Sequence, residues 1–144
     1  MSNILTHSKK ILYPELGVTK LDLAEYYTSI QNWILPYIRN RPLMLLRCPQ
    51  GRHKQCFYQK HLNEIHSEQV FSIPIKEKLK LSQYIYIKNI NGLISLIQLG
   101  SLEIHAWNCT IKNIENPDMV VFDLDPAEGV LWQDVIKAAK LIKS

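Results

Sequence analysis

The 144-residue sequence contains no apolar run near the ~18–20 residues needed to cross a bilayer. Its first ten residues, Met1 to Lys10, lack a basic start followed by a long apolar core, so no signal peptide is visible. Cysteine is scarce: Cys48, Cys56 and Cys109 are too few, and odd in number, for a disulfide framework. A cytoplasmic protein is the default expectation. There is no Gly-x-Ser-x-Gly and no Walker loop, which removes the usual signals for serine nucleophiles and P-loop nucleotide chemistry. Repeats, low-complexity tracts and Gly/Ser linkers are also lacking, so residues 1–144 read as one domain.

What remains is an ordinary globular composition, 47% hydrophobic and 21% charged, which excludes a disordered chain. The net charge of +4 is unevenly spread. Residues 1–60 carry nine Lys and Arg against three acids, and residues 61–144 carry eight against ten. A basic first part and an acidic second part suit a protein that grips a polyanion with one and a metal cation with the other. Chance is the simpler account of that asymmetry taken by itself.

Apolar residues from Leu23 to Ile38 recur at helical spacing, predicting a helix from Thr19 to about Arg39. Thr19 with Asp22 resembles a capping box, and Pro36 should kink or end the helix. Strands are expected at Leu43–Arg47, Cys56–Lys60, Val70–Ile75, Tyr84–Lys88 and Leu102–Trp107, with a buried strand at Met119–Leu124. A short helix from Gly92 to Leu99, capped by Asn91, should end at Gly100. Leu131–Lys143 reads as an amphipathic helix. This order predicts an α/β or α+β fold with a mixed central sheet flanked by helices.

The sharpest chemical feature is Asp123-Leu124-Asp125-Pro126. Side chains two apart on a strand share a face, so the two carboxylates should project together and repel unless a cation or donors neutralise them. Hard oxygen ligands of this kind select Mg²⁺ or Mn²⁺. The plainer alternative has Asp125 capping a turn and Asp123 facing water. Glu103, His105 and Trp107 should share one strand face, where His105 could meet a nucleotide phosphate. Lys20, in the first turn of the long helix, could hold a phosphate jointly with backbone N–H groups. Phe57 and Tyr58 offer stacking surfaces for bases. Cys48, His53, Cys56, His61 and His66 cluster in sequence, but the Cys48–Cys56 gap is not a zinc knuckle.

Taken in order, the motifs are Lys10-Ile11-Leu12-Tyr13-Pro14, Gly17 to Tyr27, Arg41-Pro42-Leu43, Arg47-Cys48-Pro49-Gln50-Gly51, Cys56 to His61, Glu103 to Trp107 and Pro117 to Pro126. They resemble the polymerase domain of bacterial ligase D, within the archaeo-eukaryotic primase superfamily. The resemblance implies a template-directed nucleotidyltransferase acting at DNA ends in non-homologous end joining, in a cytoplasmic, nucleoid-associated setting. Its partners would be 5′-phosphorylated DNA, ribonucleoside triphosphates, a ligase domain and Ku. It implies Asp123 and Asp125 as ligands for Mn²⁺ or Mg²⁺, and His105 as the active-site histidine. Lys10 and Lys20 match a 5′-phosphate pocket, with His7 standing where the family often has Asn. Phe57 and Tyr58 match an aromatic pair near the template, and Arg47, Arg52, Lys54 and Lys60 would face the DNA backbone. The family's domain is about twice this length, and its third metal-binding Asp falls outside the 144 residues. The resemblance therefore implies catalysis only together with a C-terminal half, the alternative being a non-catalytic module for 5′-phosphorylated ends.

Overall fold

A computed structural model describes residues 4–62 and 67–143. The fold is α+β: a five-stranded sheet with helices on one face, and a small hairpin beside it. The hairpin pairs β1 (Ile11–Tyr13) with β2 (Val18–Thr19). In the main sheet, β3 (Leu43–Arg47) is central. One edge of β3 pairs with β7 (Ser101–Ala106). Its other edge meets β4 (Phe57–Gln59) along residues 45–47 and β6 (Lys80–Tyr86) at Leu43. A long hairpin joins β6 to β5 (Phe71–Glu77). Every ladder among the described residues is antiparallel.

Residues paired across strands share a face. Leu43, Leu45, Ile85 and Leu102 turn to one side and are buried there against Ile38, Leu93, Ile94, Leu96 and Ile97. Those last four belong to α3 (Ile90–Gln98), the helix that closes the core. Its cap is Asn89, whose side chain accepts from the Gly92 N–H, so the helix starts two residues before the expected Gly92 and Asn91 is not the cap. Gly100 ends it as expected, with φ +80. A Cβ at Gly100 would lie 2.8 Å from Pro49 Cα. Gly100→Ala therefore combines a left-handed backbone with a backbone clash, and should cost about 2–4 kcal/mol in urea unfolding.

The expected single helix at residues 19–39 is two: α1 (Lys20–Ser29) and α2 (Gln31–Ile38). The capping box is present, with Thr19 and Asp22 bonding each other's backbone N–H groups. The break falls at Ile30 rather than at Pro36, which lies inside α2. The Thr28 and Ser29 hydroxyls donate to the Ala24 and Tyr26 carbonyls, competing with the backbone ladder just before the break. The hairpin β5–β6 outruns the expected strands because its turn needs no glycine: Lys78 takes φ +49.

The largest correction concerns residues 119–124. They form no strand, and Val120, Val121 and Phe122 are exposed. A continuous apolar run is buried only where another layer covers it, and nothing among the described residues covers this one. Helix α4 (Trp132–Lys143) forms close to where expected, but none of its residues is buried. Three cysteines make no framework, but they do make one bridge: Cys48 and Cys56 form a disulfide with Cα atoms 4.3 Å apart, and Cys109 is free. That bond removes two thiols from the zinc alternative. His53 and His61 face Glu15 and Glu77 instead, and His66 lies outside the described residues.

Candidate nucleic-acid interface

Two places collect the residues singled out above. The first is a cleft of about 400 Å³ lined by His7, Lys9, Lys10 and Lys20. Lys20 opens α1 and is buried, with its ammonium 3.1 Å from the Thr6 carbonyl, 3.2 Å from Gln98 Oε1 and 3.4 Å from the Gln98 carbonyl. These acceptors are neutral, and among the described residues no carboxylate pairs with the buried charge. Burial, and then the neighbouring Lys10, push the Lys20 pKa down. Lys10 is held by Gln50 at 3.1 Å. An anion entering this cleft would relieve the repulsion among its cations.

The helix N-terminus contributes less than expected. The Lys20 and Leu21 N–H groups donate to the Lys10 and Ser8 carbonyls, and the Asp22 N–H to Thr19 Oγ1. Any anion is therefore met by side chains.

The second place is the sheet face opposite the helices. Met44 pairs with His105, and Leu46 with Glu103 and Tyr58, so these residues share that face. His105 Nε2 lies 2.9 Å from Glu103 Oε2, within hydrogen-bond distance. Tyr58 meets the His105 ring edge-on at 6.2 Å, and Tyr84 meets Trp107 at 5.0 Å. Phe57 and Tyr58 are successive strand residues and turn to opposite faces. Phe57 lies under the Arg47 guanidinium, 5.2 Å from ring centroid to Cζ.

The basic residues divide. Arg47 bonds the Leu99 carbonyl twice and also Gln59, and Arg52 bonds Glu15. Lys54 is exposed on its loop. Lys60 pairs with Glu77, a residue that sequence reasoning missed because the hairpin carrying it was unforeseen. Glu77 also accepts from the Ser82 and Tyr84 hydroxyls. Hydrogen bonds from Lys60, Ser82 and Tyr84 together lower its pKa from 4.5 to about 2. A depressed carboxylate stabilises the fold above its unfolded pKa and loses that effect as pH falls through the folded value. Glu77→Gln should thus lower Tm at pH 7, with the gap from the parent protein closing between pH 4.5 and pH 2 in thermal scans.

Asp123 and Asp125 are both exposed. Among the described residues, no three His, Cys, Asp or Glu side chains form a group able to hold a metal ion. Two carboxylates have the hard-oxygen chemistry for Mg²⁺ or Mn²⁺, but this set does not close around an ion. The lead-in to the pair is better fixed. Asp118 receives both Arg41 Nη atoms at 2.6 and 2.9 Å, and its N–H donates to the Asn108 carbonyl. The buried Arg41, which also donates to the Trp107 carbonyl, thus ties residue 118 to the end of β7.

Residues 19–144 match the family model described as LigD, primase-polymerase domain. The chain belongs to this family. It is 32% identical to the multifunctional non-homologous end joining protein LigD of Mycolicibacterium smegmatis over 142 residues, covering 97% of this chain and 19% of that protein. Its identity to the Pseudomonas aeruginosa protein of the same name is 29% over 137 residues, covering 95% of this chain and 16% of that protein. A solved polymerase domain from Mycobacterium tuberculosis Ligase D, in complex with DNA, superposes with a TM-score of 0.67 at 29% identity. That match covers 72% of this chain and 36% of the solved domain. The chain thus spans between a sixth and a fifth of these curated LigD relatives and about a third of the solved polymerase domain.

Proposed function

We propose that this chain is the end-gripping portion of a template-directed nucleotidyltransferase that works at DNA breaks in end joining. Its cleft takes the 5′-phosphate. The observation that carries this is the buried Lys20 ammonium, with neutral acceptors alone around it and Lys10, Lys9 and His7 lining the same cleft. The open sheet face, with Tyr58 and His105, would receive the template base and the incoming nucleotide. The family match and the DNA-bound neighbour support the reading. Asp123 and Asp125 would serve as Mn²⁺ or Mg²⁺ ligands alongside further donors, which do not gather into a metal-binding group among the described residues. Ribonucleoside triphosphates, a ligase domain and Ku belong to the same proposal.

End-gripping and catalysis separate experimentally. Fluorescence anisotropy with a labelled duplex should show a preference for the 5′-phosphorylated end that survives EDTA, because the cleft is built from cations. The double change Asp123→Asn with Asp125→Asn should leave that affinity within about twofold, since both residues are exposed and outside the cleft. Loss of the preference in EDTA would place a metal in the phosphate site and overturn the reading. Adding the remaining part of a LigD polymerase domain in trans should restore Mn²⁺-dependent ribonucleotide addition on a gapped duplex. Intact end binding without restored addition would favour the purely binding module.

A further inference from the structure

We propose that Cys48 and Cys56 form a thiol–disulfide exchange site for small thiols, and that its redox state sets how firmly the 49–55 loop supports the phosphate cleft. The bond joins the end of β3 to the residue before β4 and closes the loop between them. That loop does not line the basic cleft but touches it through Lys10. Gln50 holds Lys10, and the Arg52 N–H donates to the Leu12 carbonyl at 2.8 Å. Arg52 and His53 both bond Glu15 in the turn between β1 and β2. Gly51 packs so closely that a Cβ there would lie 3.2 Å from the Ile11 carbonyl. These contacts join the loop to the β1 hairpin, and Lys10 immediately precedes that hairpin.

The two sulfurs are unequal. Cys48 is 1% exposed, whereas Cys56 is partly exposed. An incoming thiolate attacks the partly exposed Cys56, with the exposed Lys54 two residues away on the same loop. A new sulfur–sulfur bond forms at Cys56, the Cys48 bond breaks, and Cys48 leaves as a thiolate that takes up a proton. A second small thiolate then attacks the mixed disulfide, releasing Cys56 and the oxidised small thiol. One protein disulfide and two thiols become two protein thiols and one small disulfide. The reduced Cys56 finds acceptors already in place, the Lys54 carbonyl at 3.5 Å and the Arg52 carbonyl at 3.8 Å from its sulfur. Both states thus have a local home, as an exchange site requires.

The affinity consequence rests on the phosphate-cleft reading, and the test separates the two. The protein is equilibrated in buffers of graded reduced-to-oxidised glutathione, quenched, denatured, alkylated and weighed. One alkylation, at Cys109, is expected at the oxidised end, and three at the reduced end. Three throughout would overturn the exchange site whatever the DNA result. Anisotropy with a 5′-phosphorylated duplex should then show binding weaker by roughly three- to tenfold in the reduced protein, the scale of one charge-assisted contact. Cys56→Ser should match the reduced value in both buffers, and Cys109→Ser should retain the redox difference. Equal affinity in both states overturns the control, and so does a Cys56→Ser affinity equal to that of the oxidised protein. A redox step in alkylation with no phosphate preference in either state would sink the cleft reading and the control while leaving exchange chemistry established.

Discussion

A duplex end bearing a 5′-phosphate is expected to bind roughly 10- to 100-fold tighter than the same end without it, and Lys20→Met should remove most of that difference. The size follows from burial. A surface lysine contributes little to one phosphate, because water already serves both ions. Lys20 is buried, and no carboxylate among the described residues neutralises it. Each charge-assisted bond it forms is worth more than an exposed one. Methionine keeps the volume but takes the Lys20 donor from the Thr6 and Gln98 backbone carbonyls, so circular dichroism must confirm folding. Lys10→Gln keeps the body intact and should lower the slope of log affinity against log salt by about one.

The pH dependence carries a definite sign. Burial and Lys10 depress the Lys20 pKa in the free protein, and a bound phosphate would raise it. Affinity should therefore fall as pH rises through the depressed value, before ordinary lysines lose their protons. Lys20→Met should flatten that fall. A profile identical in both proteins would move the phosphate elsewhere, with the Lys9 and Lys10 side chains the next to test.

How much of this was legible in the sequence depends on what each residue needed. The helix start at Thr19 and the stop at Gly100 were readable because capping boxes and left-handed glycines are local chemistry. The face shared by Glu103, His105 and Trp107 followed from strand alternation. The break at Ile30 was not readable, since Pro36 gave the louder signal while two hydroxyls acted. Glu77 was hidden because its hairpin turns on a lysine at positive φ rather than on a glycine. Arg41 and Asp118 are 77 residues apart, and no local pattern pairs them. Asp-x-Asp was visible at once, yet the buried strand expected to carry it was inferred from an apolar run that finds no covering layer among the described residues.

That last difference carries the second large expectation. Leu96→Ala should cost about 2–5 kcal/mol, while Leu141→Ala should stay within about 0.5 kcal/mol. Leu96 is fully buried between sheet and helix, and its truncation leaves a cavity that the sheet cannot collapse into. Leu141 is 77% exposed on α4, so truncating it uncovers almost nothing. Domains hold only about 5–15 kcal/mol in total, so Leu96→Ala alone removes a large share. Paired urea melts decide the matter. A large Leu141 effect would mean that α4 packs in solution against a surface not seen here, either a second copy or the body itself. Sedimentation of the parent protein and of Leu141→Ser separates those two outcomes. An apolar stripe that joins copies should lose its higher species in the variant, whereas one that docks on its own sheet should stay monomeric and melt earlier.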